Sequence, residues 1–146
     1  MRFMVRRGAG GRGVDLLRVL RVRGRTTGRL YEVPVRVTIL DEQRYIMTML
    51  GDAEWARNLR AAGGGELILG ASVEQVAAYE LHGVDKTTFL TRCSTYPQFE
   101  SRARATLKFA FDHPTKQLNQ TDIALLAQVW YVFRLDVIDP PENNFR

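Results

Sequence analysis

The sequence has few of the residues that form disulfide bridges or bind metal ions. The chain of 146 residues contains one cysteine, Cys93, and two histidines, His82 and His113. A single cysteine excludes an intrachain disulfide framework and any metal site made only of cysteines. With two histidines besides, a metal site of the usual kind is not expected.

Long apolar runs are also missing. No run approaches the roughly 20 residues that cross a bilayer, and the N-terminus lacks the apolar stretch and cleavage site of a secretory signal. The composition, 45% apolar and 25% charged, is that of a globular chain. We therefore expect one cytoplasmic domain over residues 1–146, with a basic, flexible segment at residues 1–13 and a loose tail at residues 140–146.

Positive charge is concentrated at one end of the chain. The net charge is +5, yet residues 1–36 alone hold ten arginines and two acidic residues. Such a field attracts anions, which here means cofactor phosphates, nucleic acid or lipid head groups. Composition alone does not choose among them.

Apolar and polar residues alternate through several segments, which predicts half-buried β-strands. The clearest is Tyr31–Leu40, followed by a polar turn and a second strand at Arg44–Met49. Pro34 lies inside the first of these strands and cannot donate a ladder hydrogen bond, so it should lie on an edge or at a bulge. The other predicted strands are Leu16–Val22, Glu66–Leu69, Val73–Leu81 and Val129–Val137.

Short helices are predicted between these strands. One covers residues 53–62 and ends at Gly63–Gly65, and two more begin at Asp85 and Pro97. About six strands joined mostly by hairpin-length links indicate a mainly β, α+β fold, an antiparallel barrel with short flanking helices.

One glycine pattern suggests a dinucleotide site but stands in the wrong context. Gly8, Gly10 and Gly13 match G-x-G-x-x-G, and Glu32 follows at about the distance of a ribose-binding acid. That fingerprint needs a full strand before it and a helix after it, and Glu32 would open its strand instead of closing it. A basic N-terminal segment is the better interpretation.

The segment Gly24–Arg29 has the chemistry of an anion cradle. It lies between two predicted strands and combines two glycines, the hydroxyls of Thr26 and Thr27, and the guanidinium groups of Arg25 and Arg29. Backbone N–H groups in a tight turn converge on an anion, and a guanidinium group can bind two oxygens at once. A plain solvated turn would have the same spacing, so both interpretations stay open.

Two aromatic groups are candidates for a pocket wall. On the helix after the second strand, Trp55 and Asn58 lie on one side and suit a planar ligand with polar edges. Alternatively, Trp55 belongs to the core and Asn58 caps a neighbouring backbone. Tyr96 and Phe99 would form an aromatic lid, although such spacing is also typical of core residues.

These segments together resemble the deazaflavin-dependent nitroreductase family of split-barrel oxidoreductases. The resemblance rests on Gly24-Arg25-Thr26-Thr27-Gly28, on Tyr31 and Pro34, on the run Glu54 to Gly64, and on Val132-Phe133-Arg134-Leu135. It implies a split β-barrel that uses the reduced coenzyme F-420, an 8-hydroxy-5-deazaflavin, to donate a hydride to a quinone, nitroaromatic or activated alkene. A homodimer formed through a sheet face would be compatible with this fold.

The resemblance also implies roles for individual residues. The coenzyme's phosphate and acidic tail would bind to Arg25, Thr26 and Thr27, and the pocket wall would include Trp55 and Asn58. Beside the ring system would run Met47, Thr48, Met49, Leu50 and Gly51. Tyr96 and Phe99 would cover the substrate, with Tyr96 the candidate proton donor.

One departure from the family pattern leaves the cofactor open between F-420 and FMN. Many members have a Lys-Gly-Gly segment where this chain has Leu50-Gly51-Asp52. A split barrel that binds FMN or a related ligand without turnover is therefore the first alternative. The second is an anionic-polymer or peripheral membrane binder that uses the arginine-rich N-terminus. Nucleic acid is not expected, since interleaved exposed aromatic residues are missing.

Overall fold

The computed structural model describes residues 14–48 and 51–138. They form six strands and four helices. In chain order these are β1 (Val14–Arg23), β2 (Leu30–Leu40), β3 (Gln43–Thr48), α1 (Glu54–Ala62), β4 (Gly64–Leu69), β5 (Ser72–Glu80), α2 (Gly83–Cys93), α3 (Pro97–Phe111), α4 (Gln120–Val129) and β6 (Tyr131–Val137). Within the described ranges, no helix is both long enough and apolar enough to cross a bilayer.

The strands form a closed barrel in the order β1-β2-β3-β6-β5-β4. The pairs β1–β2, β2–β3, β1–β4, β4–β5 and β5–β6 are all antiparallel. The predicted antiparallel barrel of about six strands with flanking helices is confirmed. The β1–β2 register runs without interruption from Val14↔Ile39 to Arg23↔Leu30, so the bulge considered for Pro34 is not present in this pair. Pro34 is exposed and lies opposite Val19.

The chain divides into two compact units. The first comprises Met1–Ile46, Glu54–Glu80 and Phe133–Arg146, and the second comprises Met47–Ala53 and Leu81–Val132. The prediction of a single domain is not tested by this division and stays a prediction. The core of the first unit is built from the inward side chains of the strands and from α1: Leu20, Val22, Val35, Val37, Ile39, Ile46, Ala56, Leu59, Leu67, Val76, Phe133 and Leu135.

A close backbone approach joins β1 and β4. A Cβ atom on Gly65 would lie 2.6 Å from the carbonyl oxygen of Arg21, and one on Gly64 would clash with the carbonyl oxygen of Val76. Glycine therefore lets β4 pack tightly against its neighbours on both sides. Gly63, at a φ of 75°, follows directly on the end of α1, as the sequence predicted.

The second unit contains a helix that the sequence analysis missed. The predicted strand Val129–Val137 begins too early, because α4 extends to Val129 and β6 starts at Tyr131. The start of α4 is a capping box, in which the Asn119 side chain accepts from the Asp122 N–H and the Asp122 side chain accepts from the Asn119 N–H. The pair of Asn119 and Asp122, followed by apolar residues, was the signal available in the sequence.

Candidate cofactor-binding site

The hairpin bend Gly24–Arg29 connects β1 to β2. Its ends are closed by a hydrogen bond from the Gly24 N–H to the Arg29 carbonyl at 2.7 Å, and Gly28 adopts a φ of 75°. Gly24 has no room for a side chain, since a Cβ atom there would lie 2.5 Å from a ring carbon of Tyr31. A side chain at Gly24 would displace Tyr31 or Thr27, and one at Gly28 would strain the backbone, so glycine suits the bend at both positions.

Helix α1 holds this bend in place through Asn58. The side chain is buried, with 7% of the residue exposed. Its Oδ1 accepts from the Arg25 backbone N–H at 3.1 Å and from Arg25 Nη1 at 2.8 Å. Arg25 Nη1 also pairs with Glu54 Oε1 at 3.0 Å. Buried acceptors of this kind fix geometry, because leaving their donors unpaired is costly.

The tip of the bend carries hydrogen-bond donors that have no acceptor among the described residues. Among residues 14–48 and 51–138, Thr26 has no hydrogen-bond partner, and the Thr27 backbone N–H likewise has none. The Thr27 hydroxyl is already engaged, 2.9 Å from Tyr31 OH and accepting from the Arg29 N–H at 3.1 Å. Adjacent free N–H groups in a bend bind an anion.

Beside these donors lies a cleft of about 410 Å³, which we call the hairpin cleft. This volume lies in the range of small-molecule sites, roughly 300–1,000 Å³. The half-buried ring of Trp55 forms part of its wall and lies 6.2 Å from the Phe133 ring, tilted by 51°. The full lining is Val22, Gly24, Arg25, Thr26, Thr27, Tyr31, Val33, Glu54, Trp55 and Asn58.

The structure thus brings together five of the predicted binding residues. Arg25, Thr26, Thr27, Trp55 and Asn58 all line the hairpin cleft. For the last two, the alternative interpretation also holds in part, because Trp55 packs against the barrel core and Asn58 caps a backbone N–H. The same contacts that stabilise the fold therefore shape the cleft.

The predicted ring-side segment, Met47 to Gly51, starts with the last two residues of β3 and belongs to the second unit. Met47 is half-buried and Thr48 is buried. Thr48 Oγ1 donates to the Gly51 carbonyl at 2.7 Å and accepts from the Tyr131 N–H at 3.3 Å. The two remaining predictions in this segment, Met49 and Leu50, lie outside the described residues. A place beside the coenzyme's ring remains a prediction for this segment.

The two aromatic candidates on α3 are also in the second unit. Phe99 is 3% exposed and meets the ring of Trp130 edge-on, at 5.2 Å between centroids. This packing is what the core interpretation expects of Phe99. Tyr96 is half-buried at the N-cap of α3, where its N–H donates to the Cys93 carbonyl at 3.0 Å. The substrate roles of both residues stay predictions.

Several residues of the cleft received no role in the sequence analysis. Val22 and Val33 were assigned only to strands, and Glu54 only to the start of a helix. Glu54 pairs with Arg25 from 29 positions away, and no sequence pattern signals such a contact. In contrast, the suspected ribose acid Glu32 binds Arg21 at 2.9 Å, and Gly8, Gly10 and Gly13 lie outside the described residues.

The donor set of the cleft fits a flat molecule with an anionic tail. Free N–H groups and a hydroxyl at Thr26 and Thr27 suit phosphate or carboxylate oxygens, and the Arg25 guanidinium adds positive charge. The indole of Trp55 together with Val22 and Val33 suits an apolar, planar ring. Coenzyme F-420 combines these two chemical features.

Comparison with known proteins agrees with this chemistry. Residues 1–108 match the model of the F420H(2)-dependent quinone reductase family. Among solved structures, a conserved hypothetical protein, Rv2991, from Mycobacterium tuberculosis shares the fold, with a TM-score of 0.51 and 12% identity over 84% of this chain and 73% of that one. No curated protein matches the chain. Because the family match covers well over half of the sequence, the chain belongs to the F420H(2)-dependent quinone reductase family, and its cofactor is coenzyme F-420.

Proposed function

We propose that the chain binds reduced coenzyme F-420 in the hairpin cleft and reduces a quinone there. The observation that carries the proposal is the set of unused donors on Thr26 and Thr27 at the edge of a cleft walled by Trp55. Family membership supplies the cofactor and the quinone class, and the cleft supplies a place with matching chemistry.

The bend residues would bind the anionic part of the coenzyme. The N–H groups of Thr26 and Thr27 and the Thr26 hydroxyl donate to phosphate oxygens. Arg25 contributes charge, and Asn58 holds both its backbone and its guanidinium group. This preorganisation reduces the entropy lost when the anion binds.

The apolar wall would orient the ring and exclude water. Trp55 is held by Phe133, and Val22 and Val33 lie on adjacent strands of the barrel core. When bound, the reduced coenzyme would supply a hydride, which together with a proton from solvent converts a quinone to a hydroquinone. The protein's contribution is positioning and a dry surface, which is the usual division of work in cofactor enzymes.

Nitroaromatics and activated alkenes are proposed as further acceptors of the same site. They share with quinones a planar, electron-poor system that can lie against an apolar wall. The match to a deazaflavin-dependent family favours this enzyme over an FMN carrier without turnover. The anionic-polymer alternative uses the ten arginines of residues 1–36, of which the four in residues 1–13 lie outside the described residues.

The test of the binding site is a titration of coenzyme F-420, followed by its fluorescence. We expect Arg25→Gln to weaken binding about tenfold, since a hydrogen bond to a charged group contributes roughly 1.5–3 kcal/mol. Arg36→Gln is the matched control, because it removes the same charge. Arg36 is exposed on β2 and does not line the cleft. Equal affinities for the two variants would overturn the assignment of the cleft.

The test of the reaction is anaerobic oxidation of the reduced coenzyme by a quinone, a nitroaromatic and an activated alkene in parallel. We expect turnover with the quinone and a lower rate for Arg25→Gln at subsaturating coenzyme. Binding without turnover of any acceptor would contradict the reductase and leave a carrier. Turnover that Arg25→Gln leaves unchanged would contradict the cleft.

A further inference from the structure

The barrel has a second cavity, which no part of the proposed function uses. It has a volume of about 300 Å³ and is lined by residues of β1, β2, β3, β4 and β5, together with Leu69 and Ser72 at the β4–β5 turn. We call it the barrel cavity. On β1 its lining begins at Leu16, whereas Val22 lines the hairpin cleft. Its other lining residue on β1 is Arg18, and the four residues of extended strand from Arg18 to Val22 span about 13 Å.

The floor of the barrel cavity is apolar. Val37, Ile39 and Leu67 are buried at 2%, 6% and 3% exposure, and Leu16 packs against the same core. Leu69, at 55% exposure, stands at the rim. An apolar floor with an exposed rim accepts a molecule whose apolar end enters first.

Charged side chains face into this cavity. Arg18 shares the strand face of Leu16 and Leu20 and lies opposite the buried Val35. Arg44 lies opposite the buried Ile39, and Glu74 lies opposite the buried Leu67. Inward charges in a barrel lose part of their hydration, so each needs a partner.

Arg44 and Glu74 form an ion pair with each other, and Arg18 does not take part in it. Arg44 binds Glu74 through both nitrogens of its fork, the Nη2–Oε2 contact being 3.3 Å. Arg18 donates to the Leu17 carbonyl at 3.0 Å, and among residues 14–48 and 51–138 it has no carboxylate partner. The cavity therefore has an apolar floor and one positive charge that is not neutralised.

We propose that the barrel cavity binds a small amphipathic carboxylate, an apolar chain with one carboxylate that pairs with Arg18. At the roughly 30 Å³ that one water molecule takes up in the liquid, the cavity has room for about ten waters, or for a ligand with on the order of ten non-hydrogen atoms. A carboxylate suits Arg18 because a guanidinium group binds two carboxylate oxygens in parallel. The apolar chain displaces water from Val37, Ile39 and Leu67.

The probe is octanoate, compared with 1-octanol, which has the same chain without the charge. Binding is measured by titration calorimetry on the full-length protein at low ionic strength. We expect octanoate to saturate a single site and to bind about tenfold more tightly than octanol, because a charge-assisted pair replaces a neutral contact. No saturable binding, or equal binding of the two probes, would overturn the proposal.

Three variants locate the charge. Arg18→Gln should bind octanoate and octanol equally, Arg18→Lys should retain most of the preference, and Arg36→Gln should bind like the native protein. Arg36 is exposed on β2 and does not line the barrel cavity. If Arg36→Gln loses as much preference as Arg18→Gln, general charge attraction explains the binding and the site is wrong.

Two further measurements need no variant. Methyl NMR signals of Leu16 and Leu69 should shift with octanoate, whereas those of Val22 and Val33 in the hairpin cleft should not. Coenzyme F-420 should leave octanoate affinity unchanged. Shifts confined to Val22 and Val33, or displacement of octanoate by the coenzyme, would place octanoate in the hairpin cleft and reject the barrel cavity. Since coenzyme binding is measured separately, either proposal can fail while the other stands.

Discussion

The two ends of β1 carry arginines in opposite circumstances. Just beyond the C-terminal end, Arg25 is bound by the buried Asn58 and by Glu54. Near the N-terminal end, Arg18 lines a cavity with an apolar floor, and among the described residues its side chain has one hydrogen bond, to the Leu17 carbonyl. The Arg25 side chain is 32% exposed and Arg18 is half-buried, and each lines a cavity together with apolar residues.

The difference between the two arginines is whether neighbouring side chains fix the position of the guanidinium group before a ligand binds. At the hairpin cleft, the partners of Arg25 fix its position in advance, and the free donors are backbone N–H groups that cannot move away. At the barrel cavity, no described acid pairs with Arg18, so no carboxylate offsets its positive field and its position is less defined. The first arrangement favours precise orientation of a cofactor, and the second favours capture of a simple anion.

The largest expected effect comes from disturbing β1 and β4 together. In Gly65→Ala, the new methyl group would lie 2.6 Å from the Arg21 carbonyl oxygen, so β4 must shift. We expect the free energy of unfolding to fall by roughly 3 kcal/mol, the upper range for overpacking. Urea denaturation measures this. Octanoate should also bind more weakly, because β4 carries Leu67 of the barrel cavity. Coenzyme F-420 should bind more weakly too, because the Arg21 carbonyl lies next to Val22 of the hairpin cleft.

The matched control for this substitution is Gly28→Ala. Gly28 has a φ of 75°, and nothing would lie within 4 Å of its Cβ, so the cost there is backbone strain alone. That strain is roughly 1–2 kcal/mol. If Gly28→Ala lowers the free energy of unfolding more than Gly65→Ala does, the close approach of β1 and β4 is not what makes the barrel sensitive to a side chain at Gly65.

A smaller effect, confined to one end, is expected from Asn58→Ala. The substitution leaves the Arg25 N–H and guanidinium group without their buried acceptor, which should lower the free energy of unfolding by about 2 kcal/mol. Urea denaturation and the coenzyme titration measure the two consequences. Coenzyme F-420 should bind more weakly and octanoate should bind unchanged.

Asn58→Asp is the control, because it keeps an acceptor oxygen toward Arg25. It should retain more coenzyme affinity than Asn58→Ala. A loss of octanoate binding in Asn58→Ala would show that the two ends are not independent, and the comparison between them would break.

The barrel strands were predictable because their pattern is local. The alternation in Tyr31–Leu40 indicates which side chains face the core, and the glycines and threonines of Gly24–Arg29 indicate a bend. Helix α4 was missed because residues 121–128 were given no element, and the strand predicted from Val129 overlaps only the last residue of the helix. The local signal for the helix was the cap at Asn119.

The site was predictable only in the parts that are close in sequence. Thr26 and Thr27 stand next to each other, and Trp55 and Asn58 are one turn apart on a helix. The pairing of Arg25 with Glu54 depends on how α1 packs beside the bend, which is set by tertiary contacts. Likewise, Arg18 reads as an ordinary strand residue until the barrel closes around it.

The smallest expected effect tests whether Glu54 is what distinguishes Arg25 from Arg18. In Glu54→Gln, Arg25 keeps Asn58 but loses its neutralising carboxylate. The Glu54 side chain is 73% exposed, so the free energy of unfolding should change by less than about 1 kcal/mol. Coenzyme affinity should rise about threefold at low salt, since an acid no longer opposes the anionic tail, and the gain should shrink as salt is added. Fluorescence titration at two ionic strengths measures the affinity and its salt dependence.

Glu32→Gln is the control, because it removes the same charge from an exposed pair with Arg21 outside the cleft. An equal rise in that variant would mean that net charge alone acts, whereas weaker binding in Glu54→Gln would mean that the carboxylate positions Arg25 more than it screens it.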